Sequence, residues 1–149
     1  MNQNLFKINI KTSGQGLINI TKEINNWLKE INISCGIICI SVSHTSCSLT
    51  VNENADPDVL NDLCSFFQAL VPYNEYTSND GNKRLYKYRH SQEGIDDMPA
   101  HIKTALTNTS ISLSFNNGEL LLGQWQSVYI WEHRLEPMNR EIILNAIGS

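Results

Sequence analysis

Between Leu5 and Thr12 the chain alternates. Phe6, Ile8 and Ile10 fall on one side and Lys7, Asn9 and Lys11 on the other, which predicts a half-buried strand. Gly14 and Gly16 predict a turn after it. Ile24, Trp27, Leu28 and Ile31 then recur at helical spacing behind Thr21, a residue able to cap a helix. Gly36 to Val42 and Ser46 to Val51 are short β-rich runs on either side of His44. Asp56-Pro57 predicts a helix start, with a capping carboxylate followed by proline at the first helical position. Val59, Leu60, Leu63, Cys64, Phe67 and Leu70 supply its buried stripe, and Pro72 closes it. Tyr73 to Arg89 is polar and contains Asn79, Asp80 and Gly81, which predicts a long surface loop. A third helix is expected from Asp97–Pro99 to about Thr107. Ile111, Leu113 and Phe115 alternate ahead of an Asn117-Gly118 hairpin turn. Leu120 to Trp131 is β-rich but interrupted by Gly123, and Glu141 to Ile147 is the last strand.

Strands joined by tight turns, with about three helices, predict a single α+β domain over residues 1–149 with a mainly antiparallel sheet. A chain of 149 residues, 41% hydrophobic and 17% charged, is long and apolar enough for one real core. Its net charge of −4 lacks the concentrated basic face that charge-driven nucleic-acid binding needs. No basic leader with a long apolar run is read, and no stretch is long enough for a membrane span. A soluble, cytoplasmic protein is therefore expected. Cys35, Cys39, Cys47 and Cys64 fit free thiols, with Cys35 and Cys39 expected as buried small hydrophobes in a strand.

Three stretches could carry chemistry. His44 sits where a β-rich run gives way to small polar residues. It suits either a reachable site or a histidine satisfied at a sheet edge. The segment HSQEGIDDMPAHIK, from His90 to Lys103, contains two histidines, Glu93, Asp96 and Asp97. With a helix starting by Asp97, Asp97 and His101 share a face four residues apart. That suits a divalent cation or a proton-transfer pair, while one of the two aspartates is expected to cap the helix. Asn52, Glu53 and Asn54 precede a helix N-terminus, the usual geometry for an anion or metal-phosphate site, or simply a polar loop. Lys103 and Arg134 are candidate phosphate binders. A Cys47–His44 nucleophile pair is disfavoured, because residues three apart on a strand face opposite ways.

The stretches HTSCSLTVNENADPDV from His44, YRHSQEGIDDMPAHIK from Tyr88 and LGQWQSVYIWEHR from Leu122 resemble the YjbQ-type family, also called the secondary thiamine-phosphate synthase family. Cys47, Asn108, Gln124 and His133 depart from the family pattern without removing a polar pocket residue. The resemblance implies a small α+β domain assembled as a homotrimer. It also implies a polar pocket of His44, Asn52, Glu53, His90, Asp97 and His101, with Gln126, Glu132 and Arg134 nearby. On this reading His44, His90 and His101 hold a divalent metal ion (zinc, manganese or magnesium), and Glu53, Asp97 and His101 are catalytic. Asn52, Lys103, Gln126, Glu132 and Arg134 bind substrate. The implied reaction joins hydroxymethylpyrimidine diphosphate to a thiazole phosphate and releases pyrophosphate, whose charge Lys103 or Arg134 would neutralise. The alternatives are a metal-dependent hydrolase of a small phosphorylated or acylated metabolite, with Glu53 or Asp97 as base, and a non-catalytic protein that binds an anionic metabolite.

Overall fold

The computed structural model describes residues 1–149. In chain order the elements are β1 (Asn2–Lys11), β2 (Gly16–Asn19), α1 (Thr21–Glu30), β3 (Cys35–Val42), β4 (Cys47–Glu53), α2 (Pro57–Leu70) and β5 (Glu75–Thr77). They continue with β6 (Leu85–Lys87), α3 (Asp97–Leu106), β7 (Ser110–Asn116), β8 (Glu119–Leu120), β9 (Gln126–Glu132) and β10 (Asn139–Gly148). One sheet runs β1-β10-β3-β7-β8, a second runs β2-β9-β4, and β5-β6 is a separate hairpin. Every pairing is antiparallel. The fold is α+β, as the pattern predicts. No helix is long and apolar enough to cross a membrane.

The period of two sorts side chains between the faces. Ile38, Ile40 and Val42 of β3 and Ile142, Leu144 and Ala146 of β10 point inward. There they meet Leu49 of β4, Val128 and Ile130 of β9, and Ile24, Trp27 and Leu28 of α1 in one core of 17 buried residues. Each large aliphatic side chain removed from water there contributes about 1.5–3 kcal/mol. Asn117 and Gly118 both take positive φ, 51° and 76°, as a type I′ hairpin turn requires. Asp56 caps α2 by accepting from the Asp58 N–H at 2.9 Å, with Pro57 at the first helical position.

Several expectations are corrected. Thr21 does not cap α1; it is the first helical residue, and its hydroxyl accepts from the Val128 N–H. Gly16 opens a strand rather than a turn. The stripe of α2 contains no fully buried residue, and Leu70 is 55% exposed, because only one side of the helix meets the small sheet. Tyr73–Arg89 is not an open loop: β5 and β6 pair within it, and Tyr76 stacks on Tyr86. Gly123 separates β8 from β9 instead of interrupting one strand. Of the cysteines only Cys47 is buried; Cys35 is exposed, because odd-numbered residues of β3 face away from the core.

Candidate metal centre

The segment Glu93–Asp97 is shaped by a turn and an arginine. Gly94 adopts φ 128°, a conformation closed to most side chains, and its N–H donates to Ser91 O while its carbonyl accepts from Asp97 N–H. Arg134, two residues past the end of β9, holds this turn. Its Nε donates to Asp96 Oδ2 at 3.0 Å, Nη1 to Glu93 Oε2 at 2.8 Å, and Nη2 to the Glu93 carbonyl at 2.8 Å. The Leu135 N–H also donates to Asp96 Oδ2, so Asp96 binds the end of β9 instead of capping α3. Burial raises the Asp96 pKa, but these hydrogen bonds outweigh it and hold the carboxyl below its ordinary range.

This clamp sets Asp97 at the first position of α3, only 1% exposed. Its Oδ2 accepts from the Glu93 N–H, and its Oδ1 is buried without a hydrogen-bond donor. Around Oδ1 stand His90 Nε2 at 3.2 Å, His101 Nε2 at 3.4 Å and Arg134 Nη1 at 3.6 Å. His101 lies one turn along α3 from Asp97, and its Nδ1 is 2.9 Å from the Thr45 carbonyl. A carbonyl only accepts, so Nδ1 carries the hydrogen and the neutral ring presents an Nε2 lone pair to Asp97. Two acceptors thus face each other, and a proton or a cation between them would satisfy both.

The ligating atoms of His90, Asp97 and His101 lie within 4.8 Å of one another. A tetrahedral ion with bonds of about 2.0–2.1 Å needs ligand atoms about 3.3 Å apart, and the two His–Asp separations meet that spacing. Two imidazoles and one carboxylate with open positions suit zinc or manganese better than magnesium, which prefers oxygen. The donor set and the orphaned Asp97 Oδ1 therefore fit a divalent cation.

The chain belongs to the YjbQ-like UPF0047 family. The family model, described as UPF0047 protein YjbQ-like, matches residues 6–149. A UPF0047 protein of Synechocystis is 47% identical over 140 residues, covering 94% of this chain and 88% of that one. UPF0047 protein YjbQ of Escherichia coli O157:H7 is 37% identical over 95% of this chain and 96% of its own. A solved structure of an uncharacterised YjbQ/UPF0047 protein from Clostridium acetobutylicum superposes with a TM-score of 0.80 at 31% identity, covering 95% and 99% of the two chains.

Within this YjbQ-like fold the other expected site residues separate. His44 stands outside the His90–Asp97–His101 group: its Nε2 accepts from the Glu141 N–H at 2.8 Å. Burial, then Arg140, lowers its pKa. Glu53 and Gln126 are paired at one end of β4 and β9, whereas Cys47 and Glu132 are paired at the other. Six residues of strand put those ends about 20 Å apart. Asn52, Glu53 and Gln126 line a separate depression with Trp125, and in one chain they do not join the histidines. Lys103 points into the protein, 4% exposed, with Nζ donating to Gln68 Oε1 and lying 5.7 Å over the Tyr73 ring. Desolvation lowers its pKa. Glu132 is wholly buried and accepts from Arg140, Thr12 and the His133 and Arg134 amides. Three of the five Arg134 N–H groups are bound to Asp96 and Glu93 of its own chain, and both Glu132 oxygens are engaged within the chain as well.

Arg140 escaped the sequence reading. It shares the parity of Ile142 and Leu144 in β10, a signal that it points inward toward a buried acid. Cys47 is buried and its thiol pKa is pushed up to about 11 by desolvation, which leaves it unreactive as a nucleophile. A cavity of about 470 Å³ opens beside His90, walled by Tyr73, Asn74, Lys87, Tyr88 and Ser91, with room for a small metabolite.

Proposed function

We propose that this protein is a divalent-metal-dependent enzyme acting on a small phosphorylated metabolite, with His90, Asp97 and His101 as the protein's ligands. The observation that carries the reading is the buried Asp97 Oδ1, which has no donor and faces two imidazole nitrogens. A bound divalent cation supplies positive charge to a phosphate oxygen and so stabilises charge that develops there. The chain's own residues orient the centre: Thr45 fixes the His101 tautomer, and Arg134 fixes the turn that aims Asp97.

The resemblance to secondary thiamine-phosphate synthases gives the first specific reaction. The carbon–oxygen bond of hydroxymethylpyrimidine diphosphate breaks, pyrophosphate leaves with the electron pair, and the thiazole nitrogen forms the new bond to carbon. Hydrolysis of a phosphorylated metabolite is the second reading, with water as nucleophile. It is favoured by one observation: Lys103 is buried on Gln68, and the Arg134 charge is already balanced by Asp96 and Glu93, which leaves less positive charge to neutralise a departing pyrophosphate. We further propose a cytoplasmic homotrimer that binds neither nucleic acid nor membrane.

Zinc- or manganese-loaded protein should be given hydroxymethylpyrimidine diphosphate and thiazole phosphate, with thiamine phosphate and pyrophosphate measured together. Equal amounts of both support the transferase. Phosphate or pyrophosphate release that ignores the thiazole supports the hydrolase. No metal uptake at micromolar zinc, manganese or magnesium sinks both.

A further inference from the structure

On the other side of His101 from Asp97 lies a groove of about 400 Å³, lined by His44, His101, Thr45, Thr104, Thr107 and Thr109. Four threonines and two imidazoles meet there with no carboxylate, lysine or arginine in the wall. The hydrogen bonds already made define what the groove offers. The Glu141 N–H can only donate, so His44 Nε2 is the acceptor and the neutral ring carries its hydrogen on Nδ1. His44 thus has one N–H left to give. Thr107 Oγ1 is used by the Lys103 carbonyl. Thr104 Oγ1, by contrast, is buried with no partner at all.

A buried hydroxyl without a partner costs about 1–3 kcal/mol. Thr104 lies within α3, and helical threonine divides between two χ1 rotamers, which place its hydroxyl on different sides of Cβ. Thr104 lines the groove, so a rotamer that turns its hydroxyl to the groove wall would let a ligand oxygen satisfy it. Hydroxyls donate and accept, so a wall of this kind matches hydroxyl or carbonyl groups. An isolated phosphate dianion would find no countercharge in it.

We propose that the threonine groove is a binding subsite for an uncharged, oxygen-bearing part of the substrate, a hydroxyl- or carbonyl-bearing moiety, with His44 and Thr104 as its donors. The proposal rests on the metal-centre reading above, in which the phosphate of the same metabolite sits across His101. It gives His44 the role of a substrate-binding residue in place of a metal ligand.

The test uses the full-length protein loaded with zinc, with inorganic phosphate and ribose 5-phosphate as probes in titration calorimetry. Wild type should bind ribose 5-phosphate at least about tenfold more tightly than phosphate, the equivalent of one good added hydrogen bond to a buried group. Thr104→Val and His44→Asn should each shrink that preference to under about threefold. Zinc content and phosphate affinity should stay at the wild-type level. Asparagine can still accept from the Glu141 N–H, which keeps the fold intact, and Thr104→Ser should restore the preference. No preference in wild type overturns the subsite, as do variants that weaken both probes equally. Loss of zinc in His44→Asn would return His44 to the metal shell and overturn it as well. If wild type takes up no zinc, the metal-centre reading fails alone. The effect of the two variants on ribose 5-phosphate binding then still decides the groove, and absence of that binding overturns it.

Discussion

Asp97 Oδ1 and His101 Nε2 lie 3.4 Å apart, one turn from each other on α3, and neither has a hydrogen to donate when the imidazole is neutral. Helix spacing brings the pair together, and the Thr45 carbonyl selects the tautomer that sets lone pair against lone pair. His101→Ala should therefore remove bound zinc, read as metal-to-protein stoichiometry after dialysis. Stability should fall by less than about 1 kcal/mol, since a partly exposed histidine makes few core contacts. Asp97→Asn should likewise weaken zinc binding, because it replaces a charged ligating carboxylate with a neutral amide. Wild-type zinc content in His101→Ala, or its unfolding, would make His101 a structural residue.

Arg134 is the support beneath that pair. Its Asp96 partner is buried with it, whereas Glu93 is largely exposed and adds little. Arg134→Met should strand the Asp96 carboxylate and lower unfolding free energy by about 3–5 kcal/mol. Urea denaturation measures this. A double variant, Arg134→Met with Asp96→Leu, should recover much of the loss, because no buried charge is then left alone. Recovery that fails to appear would mean that Arg134 acts through packing.

The sequence made the periodic parts of this molecule readable. The alternation of β1, β7 and β10, the Asn117-Gly118 turn and the Asp56-Pro57 cap are local signals, and each forms where the pattern puts it. The His90–His101 segment was readable for the same reason, since its donors are close in sequence and a helix fixes their spacing. Glu53, Gln126, Glu132 and Arg134 were recognisable as polar residues near motifs, but their partners depend on strand register. Pairing of Glu53 with Gln126 puts both at the far end of the sheet, and Arg140 claims Glu132 from a strand not adjacent in that sheet. The stripe of α2 shows amphipathicity without revealing how much of it the neighbouring sheet is wide enough to cover.

His133 gives a pH dependence with a definite sign. It is 1% exposed, its Nε2 is 2.9 Å from Ser48 Oγ, and burial with the nearby charges of Lys103 and Arg140 lowers its pKa to about 3. Its unfolded value is 6.5, so below that pH the unfolded chain takes up a proton that the folded chain refuses. Stability should fall as pH drops from 6.5 toward 3, by up to about 1.4 kcal/mol per pH unit from this residue. His44, also lowered, adds in the same direction. Asp96 contributes only below the ordinary aspartate value of 3.8, so urea midpoints between about pH 4.5 and 6.5 isolate the histidines. His133→Gln should flatten that slope, and an unchanged slope would rule out His133 as its source.

The last prediction concerns the outward face of the larger sheet. Ile37 and Cys39 of β3 and Ile143 and Ile147 of β10 lie on it, with Ile37 directly opposite Ile147, and no helix covers them. Ile37 is 58% exposed and Ile147 41%, in a sheet whose other face holds the core. Met1, Ile37, Cys39 and Ile147 border an apolar hollow of about 700 Å³. Contiguous exposed apolar surface of this kind marks an interaction site, and a second copy of the chain is the partner that the homotrimer proposal requires. Light scattering should therefore give three times the chain mass of 16.9 kDa at micromolar concentration. Ile37→Glu should convert the trimer to monomers, because each trimer would have to bury several unpaired carboxylates. Far-UV circular dichroism should stay unchanged, since residue 37 points away from the core. Glu141 shares the outward parity of Ile143, and its backbone amide holds His44, so loosening this face should also disturb the groove beside His101. A wild-type protein that scatters as a monomer, or an Ile37→Glu variant that remains trimeric, would place any assembly surface elsewhere.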